Sequence, residues 1–85
     1  MRRASKSGPA LDERGRDLFE ALRACRQALA AEHDVPPYVI FHDRTLHEMV
    51  QLRPQTESDL LDINGVGRTK LDRYGQRFLE LLRAH

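Results

Sequence analysis

The stretch that decides the fold is V-P-P-Y-V-I-F, residues Val35–Phe41. Two adjacent prolines interrupt a chain that otherwise has helical periodicity, and each proline pushes the residue before it into an extended conformation. The sequence therefore predicts a non-helical loop between two helices. Two interpretations of its apolar residues remain open. Either the whole loop fills the core, or its aliphatic residues anchor it and hold Tyr38 outward as a contact residue.

Helical patterns lie on both sides of this loop. Upstream, apolar residues recur at spacings of four, three and four from Leu18 to Leu29, and Asp12 suits the positive N-terminal end of that helix. Downstream, Asp43 is a good N-cap for a second helix, which should end just before Pro54. The loop thus joins two helices that each have one apolar face.

Two further helices are predicted in the second half of the chain. Thr56, with Asp59 three residues later, resembles a capping box and opens a short helix. Residues 64–67, N-G-V-G, form a tight turn, and the last helical region runs from about Arg68 to the end with a break or kink at Gly75. Because the sequence has no strand pattern, the predicted fold is all-α, a compact orthogonal bundle of about five short helices.

The composition indicates one small globular domain. The chain has 85 residues, of which 40% are hydrophobic and 32% are charged, so it can build a single core. Residues 1–11 are small, polar and basic and are predicted to be a flexible linker or tail, whereas residues 12–85 form the helical domain. No apolar run approaches the roughly 18 residues of a membrane span, and the start lacks the apolar centre of a signal peptide. We therefore expect an intracellular protein with no membrane partner.

The net charge of +1 hides an uneven distribution. Three of the 14 basic residues, and none of the 13 acidic ones, lie in the first ten positions. The rest of the chain therefore has 11 basic against 13 acidic residues, a net charge of −2. Since phosphate neutralisation supplies most nucleic-acid affinity, this balance argues against strong non-specific binding.

The sequence contains no recognisable catalytic arrangement. Cys25 falls on the apolar stripe of the first helix and is predicted to be a small buried hydrophobe. His42, Asp43, His47 and Glu48 carry metal-ligating atoms, but the two histidines are five residues apart, not the four that place both on one helical face. We expect surface or capping roles for them, no metal or other cofactor, and no enzymatic activity in the domain itself.

The glycine turn is the most informative local motif. A G-x-G step that leads into a helix leaves backbone N–H groups unobstructed, so Gly65 and Gly67 could dock a phosphate beside Arg68, Lys70 or Arg73. This arrangement looks like the hairpin of helix-hairpin-helix DNA-binding modules. A plain turn that needs glycine for its backbone angles explains the same residues equally well, so the motif alone leaves both interpretations open.

Taken together, these segments resemble the HRDC domain, the helicase and RNase D C-terminal module, and most of all the version in bacterial RecQ-type helicases. The order VPPY, then D-x-T-L, then NGVG-x-x-K-L carries the match. The similar segments cover the chain beyond the tail: residues 18–30 (LFEALRACRQALA), 35–41 (VPPYVIF), 43–49 (DRTLHEM), 53–56 (RPQT), 60–75 (LLDINGVGRTKLDRYG) and 78–85 (FLELLRAH).

The resemblance implies a five-helix fold with a non-catalytic, accessory role in an ATP-dependent DNA helicase of the RecQ type. Such a domain would bind single-stranded or partly duplex DNA and modulate which DNA the helicase engages. Its partners would be DNA and the helicase core of the same parent chain, and it would act as a monomer at the nucleoid in the bacterial cytoplasm. The tyrosine of the VPPY loop is the implied DNA contact. With the basic residues and the glycine turn, the candidate DNA-binding set is Tyr38, Arg23, Arg26, Gly65, Gly67, Arg68, Lys70 and Arg73.

A second function is compatible with the same sequence. The first helix has Glu20, Ala21, Ala24 and Gln27 where strongly basic members of the family tend to place lysines. Together with the net charge of −2 beyond the tail, this suggests a regulatory protein-interaction module that docks on the helicase core or on a partner, with little direct DNA binding. The candidate docking residues are acidic: Asp17, Glu20, Asp59 and Asp62.

Overall fold

Helix α1 (Glu13–His33) is the longest element of the fold, with 21 residues. The computed structural model describes residues 12–85, and the predicted tail, residues 1–11, lies outside the described residues. The Asp12 carboxylate accepts a hydrogen bond from the Gly15 N–H at 2.8 Å, which confirms the predicted start of the helix. The helix ends where Asp34 adopts a left-handed conformation, with φ at 56°.

The segment after α1 differs from the prediction, because it contains one turn of helix, α2 (Pro37–Ile40). Pro36 is extended, with ψ at 149°, as expected for a residue that precedes a proline. Pro37 then occupies the first helical position, where its missing N–H costs nothing and its fixed φ suits a helix. The prolines therefore end one helix and begin another, and the prediction of a segment without helix is wrong.

Helix α3 (Asp43–Leu52) follows α2 after two residues. Its N-cap is His42 rather than the predicted Asp43, and the His42 side chain makes no capping hydrogen bond. Asp43 is instead the first helical residue, and its carboxylate binds Arg26 of α1. The helix ends at Arg53, whose φ of 46° is left-handed, so the predicted end is confirmed.

Helix α4 (Glu57–Leu61) begins at the predicted Thr56 cap. The Thr56 hydroxyl accepts a hydrogen bond from the Asp59 N–H at 3.1 Å. The Asp59 carboxylate accepts from the Gln55 N–H at 3.4 Å, one residue before the N–H that a capping box uses. The hydrogen bond to the Thr56 hydroxyl is therefore the one that a capping box predicts. The hydrogen bond to the Asp59 carboxylate comes from the residue before the expected donor.

The last helical region is continuous from residue 68 to residue 84 and consists of α5 (Arg68–Lys70), a π-helical segment (Leu71–Gly75) and α6 (Gln76–Ala84). The helix does not break at Gly75, so that alternative is wrong; a π turn ends there instead, an irregularity of the kind at which helices kink. A Cβ at position 75 would lie 2.6 Å from Leu71 Cδ1 and 3.5 Å from Leu60 Cδ2. A Cβ here would therefore force the Leu71 side chain to shift, whereas its approach to Leu60 of α4 is an ordinary van der Waals contact.

The core lies between α1 and the elements packed against it, which are α2, α3 and α6. From α3, Leu46, Met49 and Val50 are buried. The other fully buried large side chains are Leu18, Leu22, Ile40, Phe41, Leu60, Phe78 and Leu79, together with Leu82. Residues 12–85 form helices and turns without a strand, so the predicted all-α bundle is confirmed. None of the helices in this range is long and apolar enough to cross a membrane.

Arg26 is a buried arginine that fastens α1 to the junction between α2 and α3. It is 9% exposed, and its Nη1 donates to the Phe41 carbonyl oxygen at 2.9 Å and lies 2.7 Å from Asp43 Oδ1. The pKa of Asp43 is lowered because its carboxylate accepts a hydrogen bond from this cation. Arg26 therefore does not supply the free surface charge that its place in the candidate DNA-binding set requires, and that prediction is corrected.

The glycine turn is fastened to α3. The Thr45 hydroxyl donates to the Asn64 carbonyl oxygen at 3.0 Å, and the Glu48 carboxylate accepts from the Asn64 N–H at 3.0 Å. Gly65 has φ at 93°, and a Cβ at this position would overlap the Thr45 hydroxyl. Gly67 has φ at −94° and open space where a Cβ would lie. The fold thus requires glycine at position 65 and not at position 67.

Replacing Gly65 by alanine should lower the free energy of unfolding by about 1–3 kcal/mol, because the new Cβ meets a left-handed backbone and the Thr45 hydroxyl together. The matched control Gly67→Ala should stay within about 0.5 kcal/mol of the parent chain, since its Cβ meets open space. Urea unfolding followed by circular dichroism measures both. Equal stability of the two variants would contradict this account of the turn.

Arg26→Ala should lower the free energy of unfolding by about 1–3 kcal/mol, because it leaves the buried Phe41 carbonyl without a donor. Arg23 offers a control on the same helix, since it is exposed and its Nη1 lies 3.3 Å from Glu20 Oε1 at the surface. Arg23→Ala removes the same charge and should cost less than about 1 kcal/mol. Thermal melts compare the stability of the two variants. A similar loss of stability in both would contradict the role given to Arg26.

Candidate nucleic-acid interface

Tyr38 is the most exposed residue of α2. It is 59% exposed, whereas Ile40 and Phe41 are buried with 0% exposure. The structure confirms the geometry of the second interpretation, since apolar neighbours anchor the segment and the tyrosine faces outward, and the role of Tyr38 as a contact residue stays a prediction. Val39 is not one of the anchors, since it is itself 37% exposed.

Phe41 holds this segment against the last helical region. Its ring meets Phe78 edge to face, with ring centroids 5.0 Å apart, and meets Tyr74 in the same way at 6.4 Å. Lys70 Nζ lies 5.9 Å from the centroid of the Phe41 ring, within cation–π range. These contacts fix the position of the backbone that carries Tyr38, three residues earlier in the chain.

The exposed aromatic surface continues from Tyr38 to His42. Their ring centroids are 6.1 Å apart and their planes differ by 25°, so the two rings are nearly parallel. A surface groove begins at His42, with the start of α3 as one wall and the glycine turn as the other. The groove is lined by His42, Asp43, Arg44, Thr45, Asn64 and Gly65. The structure therefore brings together Tyr38 and the glycine turn, which the sequence singled out separately.

Two cations border this surface. Lys70 lies within cation–π distance of the ring of Phe41, which anchors the segment that carries Tyr38. Arg44 is an exposed residue that lines the groove. The ion pairs within residues 12–85 involve Arg23, Arg26 and Arg77, so the Arg44 charge is not neutralised in this part of the chain. The site has few charges, but neither Lys70 nor Arg44 has a carboxylate partner within the described residues.

The other members of the candidate DNA-binding set are less closely tied to Tyr38. Arg68 and Arg73 are exposed on the last helical region, and no ion pair holds either of them within the described residues. Gly67 is exposed with open space around it, whereas Gly65 borders the groove. Arg23 lies on α1 beside Glu20, which partly offsets its charge.

The acidic residues of the alternative docking set are all exposed, but they have different surroundings. Asp17 shares a shallow groove with two basic residues, Arg14 near the start of α1 and Arg53 at the end of α3. Glu20 is paired with Arg23. The Asp59 carboxylate accepts a hydrogen bond from the Gln55 N–H, just before α4. Asp62 follows the last residue of α4. No contact within residues 12–85 joins the four into one acidic cluster.

The residues considered as metal ligands have protein partners instead. His42 lies beside Tyr38, and Asp43 binds Arg26. The His47 ring stacks on Phe19 with centroids 4.3 Å apart, and Glu48 holds the glycine turn through Asn64. Residues 12–85 contain no group of three or more metal-binding side chains.

Cys25 lies half-buried on α1, beside a shallow groove between α1 and α6. Burial raises the pKa of its thiol, an effect that the nearby Arg77 partly opposes. A raised pKa disfavours the thiolate, which is the reactive form of cysteine. This position agrees with the packing role predicted for Cys25.

Sequence reasoning missed His42 and Arg44 as parts of this site. His42 was considered only as a metal ligand or cap, and Arg44 was passed over inside the D-x-T-L motif. The spacing of His42 and Arg44 from Tyr38 in the sequence only weakly indicates that they belong to this site. Their positions depend on the path of the chain between Tyr38 and α3, which is set by the turn that α2 makes. Their grouping follows from the three-dimensional position of the glycine turn opposite the start of α3.

The chain matches a known family and two kinds of DNA helicase. A protein-family model described as HRDC domain matches residues 15–82. The ATP-dependent DNA helicase RecQ of Haemophilus influenzae is 46% identical over 70 residues, which are 82% of this chain and 11% of that protein. The ATP-dependent DNA helicase UvrD2 of Mycobacterium tuberculosis is 36% identical over 83 residues, 98% of this chain and 11% of that protein. The chain thus spans about a tenth of the length of these relatives.

A solved structure has the same fold. HRDC domain 3 of Deinococcus radiodurans RecQ superimposes with a TM-score of 0.79 and is 31% identical, and the match covers 82% of this chain and 92% of that one. The helical bundle described above is therefore the fold of that domain. Since the family model covers most of the chain and the relatives agree in sequence and in fold, the chain belongs to the HRDC domain family.

Proposed function

We propose that this HRDC domain is a non-catalytic accessory module of a RecQ-type DNA helicase, and that it binds DNA weakly with a preference for single-stranded or partly duplex DNA. Through this binding it modulates which DNA the attached helicase engages. The observation that carries the proposal is the exposed ring of Tyr38, on a segment whose next apolar residues, Ile40 and Phe41, are fully buried. A ring held rigidly in solvent is a suitable stacking platform for a base.

The preference for single strands follows from the geometry of stacking. A base in a duplex is already stacked between its neighbours, so its face is not free to lie on a protein ring, whereas an unpaired base offers both faces. Tyr38 and His42 present two nearly parallel rings at the surface, and a strand with unpaired bases can use such rings without sequence specificity.

The weakness follows from the charge. Residues 11–85 carry 11 basic and 13 acidic side chains, so the folded part attracts a polyanion only where basic groups lie locally, as Lys70 and Arg44 do. Each phosphate that a protein neutralises adds to the affinity and to its dependence on salt. With few such contacts, the domain assists a helicase that holds the DNA mainly elsewhere.

We further propose that the domain acts as a monomer whose partners are DNA and the helicase core of its own parent chain, at the nucleoid in the bacterial cytoplasm. The helicases named above support the choice of partners. In residues 12–85 the exposed large apolar side chains are Tyr38, Val39 and Leu52, too few to form the apolar interface of a stable dimer.

Tyr38→Ala should weaken the binding of an oligothymidine about 5- to 150-fold, which corresponds to the loss of about 1–3 kcal/mol of base stacking. The control is Leu52→Ala, since Leu52 is a similarly exposed apolar residue, 63% against 59% for Tyr38, at the far end of α3. Fluorescence anisotropy at low salt measures the affinities.

Both variants should keep the melting temperature of the parent chain, because neither side chain belongs to the core. If Tyr38→Ala binds DNA as well as Leu52→Ala does, the stacking role is lost. If the parent chain itself fails to bind an oligonucleotide at low salt and high protein concentration, the DNA-binding function is lost as a whole.

The net charge of −2 beyond the tail favours a second candidate function, a regulatory module whose acidic surface docks on the helicase core or on a partner. Asp17 and Glu20 lie three residues apart on α1 and are both exposed, so they can meet the same basic surface. These two carboxylates would repel acidic groups on a partner and attract its basic groups, over a distance of about one Debye length.

Reversing both charges, with Asp17→Lys and Glu20→Lys in the full-length parent helicase, tests this second function. Docking through these residues predicts a change in the DNA affinity or the unwinding rate of the helicase, because the contact becomes repulsive. The same substitutions in the isolated domain serve as the control and should not weaken its binding to DNA. Unaltered unwinding and affinity in the full-length variant would count against docking by this surface.

A further inference from the structure

We propose that the groove beside Tyr38 holds the phosphate of the nucleotide next to the one stacked on Tyr38, with Arg44 as the counter-charge and His42 as a flanking contact. This inference rests on the proposed function, because it places the next step of the same DNA strand. It assigns a ligand to residues that sequence reasoning passed over, and it makes Arg44 the principal phosphate contact of the domain.

The groove has a suitable size and a fixed shape. Its volume is about 480 Å³, within the range of roughly 300–1,000 Å³ that is usual for sites that bind small molecules, so one sugar and its phosphate fit within it. The Thr45–Asn64 hydrogen bond of 3.0 Å joins its two walls. Gly65 keeps one wall low, since any side chain there would overlap Thr45. The groove therefore exists before a ligand arrives.

The charges around the groove favour an anion. Asp43 is the one acid that lines it, and its carboxylate, which is 70% exposed, is paired with the buried Arg26 at 2.7 Å. The Glu48 carboxylate is bound to the glycine turn. It accepts a hydrogen bond from the Asn64 backbone N–H at 3.0 Å and another from the Asn64 side-chain amide at 3.4 Å. Arg44 remains as the exposed cation of the groove, with no ion pair within residues 12–85.

The groove is also in the right place relative to Tyr38. The centroids of the Tyr38 and His42 rings are 6.1 Å apart, which is less than two steps of about 3.4 Å along a stacked strand. His42 and Arg44 both line the groove, so a strand whose base covers Tyr38 can place its adjoining phosphate at the mouth of the groove. The planar guanidinium of Arg44 can donate two parallel hydrogen bonds to phosphate oxygens.

The test is a salt titration of oligothymidine binding to the 85-residue chain and to its Arg44→Ala variant. A phosphate contact on single-stranded DNA contributes about −0.7 to the slope of log affinity against log salt, so Arg44→Ala should make that slope shallower by about 0.7. Arg44→Lys keeps the charge and should retain most of the slope. Circular dichroism melts should show an unchanged fold, because Arg44 is exposed.

The matched control is Arg14→Ala, which removes the same charge from a distant place. Arg14 is exposed near the start of α1, about 18 Å along the helix axis from Arg26, and borders another groove with Arg53. The slope of log affinity against log salt for the Arg14→Ala variant should equal that of the parent chain. If Arg44→Ala and Arg14→Ala change the slope equally, the effect is long-range and the assigned contact is wrong.

Two results separate this inference from the function on which it rests. If Arg44→Ala leaves the slope unchanged while Tyr38→Ala still weakens binding, the groove holds no phosphate and the proposed DNA-binding function stands. If the parent chain binds no oligothymidine at low salt, the function and the inference are both overturned.

Discussion

Burial of the Phe41 side chain is the constraint that places the rest of the candidate interface. The ring is held between Phe78 and Tyr74, and its carbonyl oxygen accepts a hydrogen bond from the buried Arg26. Because α2 begins at Pro37 and ends after one turn at the extended Phe41, the chain reaches Phe41 with Tyr38 on the solvent side. An apolar anchor and an exposed ring on one short segment are thus two results of the same packing.

Local signals account for the part of the fold that the sequence predicts well. The leucine stripe of α1, the Asp12 cap and the Thr56 cap each depend on residues within one or two turns, so their patterns are visible without the tertiary structure. The π turn that ends at Gly75 was not predicted; it packs against α4, an element that local patterns do not place beside it. The burial of Arg26 is equally non-local, since its partners lie 15 and 17 positions away in sequence.

Charge distribution explains why the candidate site was only partly predictable. Counting charges in the sequence gives a net of −2 beyond the tail, but it does not say which carboxylates are already neutralised. In the structure Asp43, the acid that lines the groove, is paired with Arg26, which the sequence placed among the DNA contacts. This ion pair takes one predicted cation away from the surface and offsets part of the charge of Asp43, so Arg44 is the unpaired charge of the groove.

Two-dimensional NMR of the labelled chain, titrated with an oligothymidine, tests the central claim most directly. The claim is that an exposed tyrosine ring on a buried anchor stacks on an unpaired base. The account predicts intermolecular NOEs between the Tyr38 ring protons and thymine protons, with the largest shift changes at Tyr38 and at residues 42–44 and 64–65. Shift changes confined to the exposed acidic face of α1, with the Tyr38 ring unperturbed at saturating DNA, would contradict it.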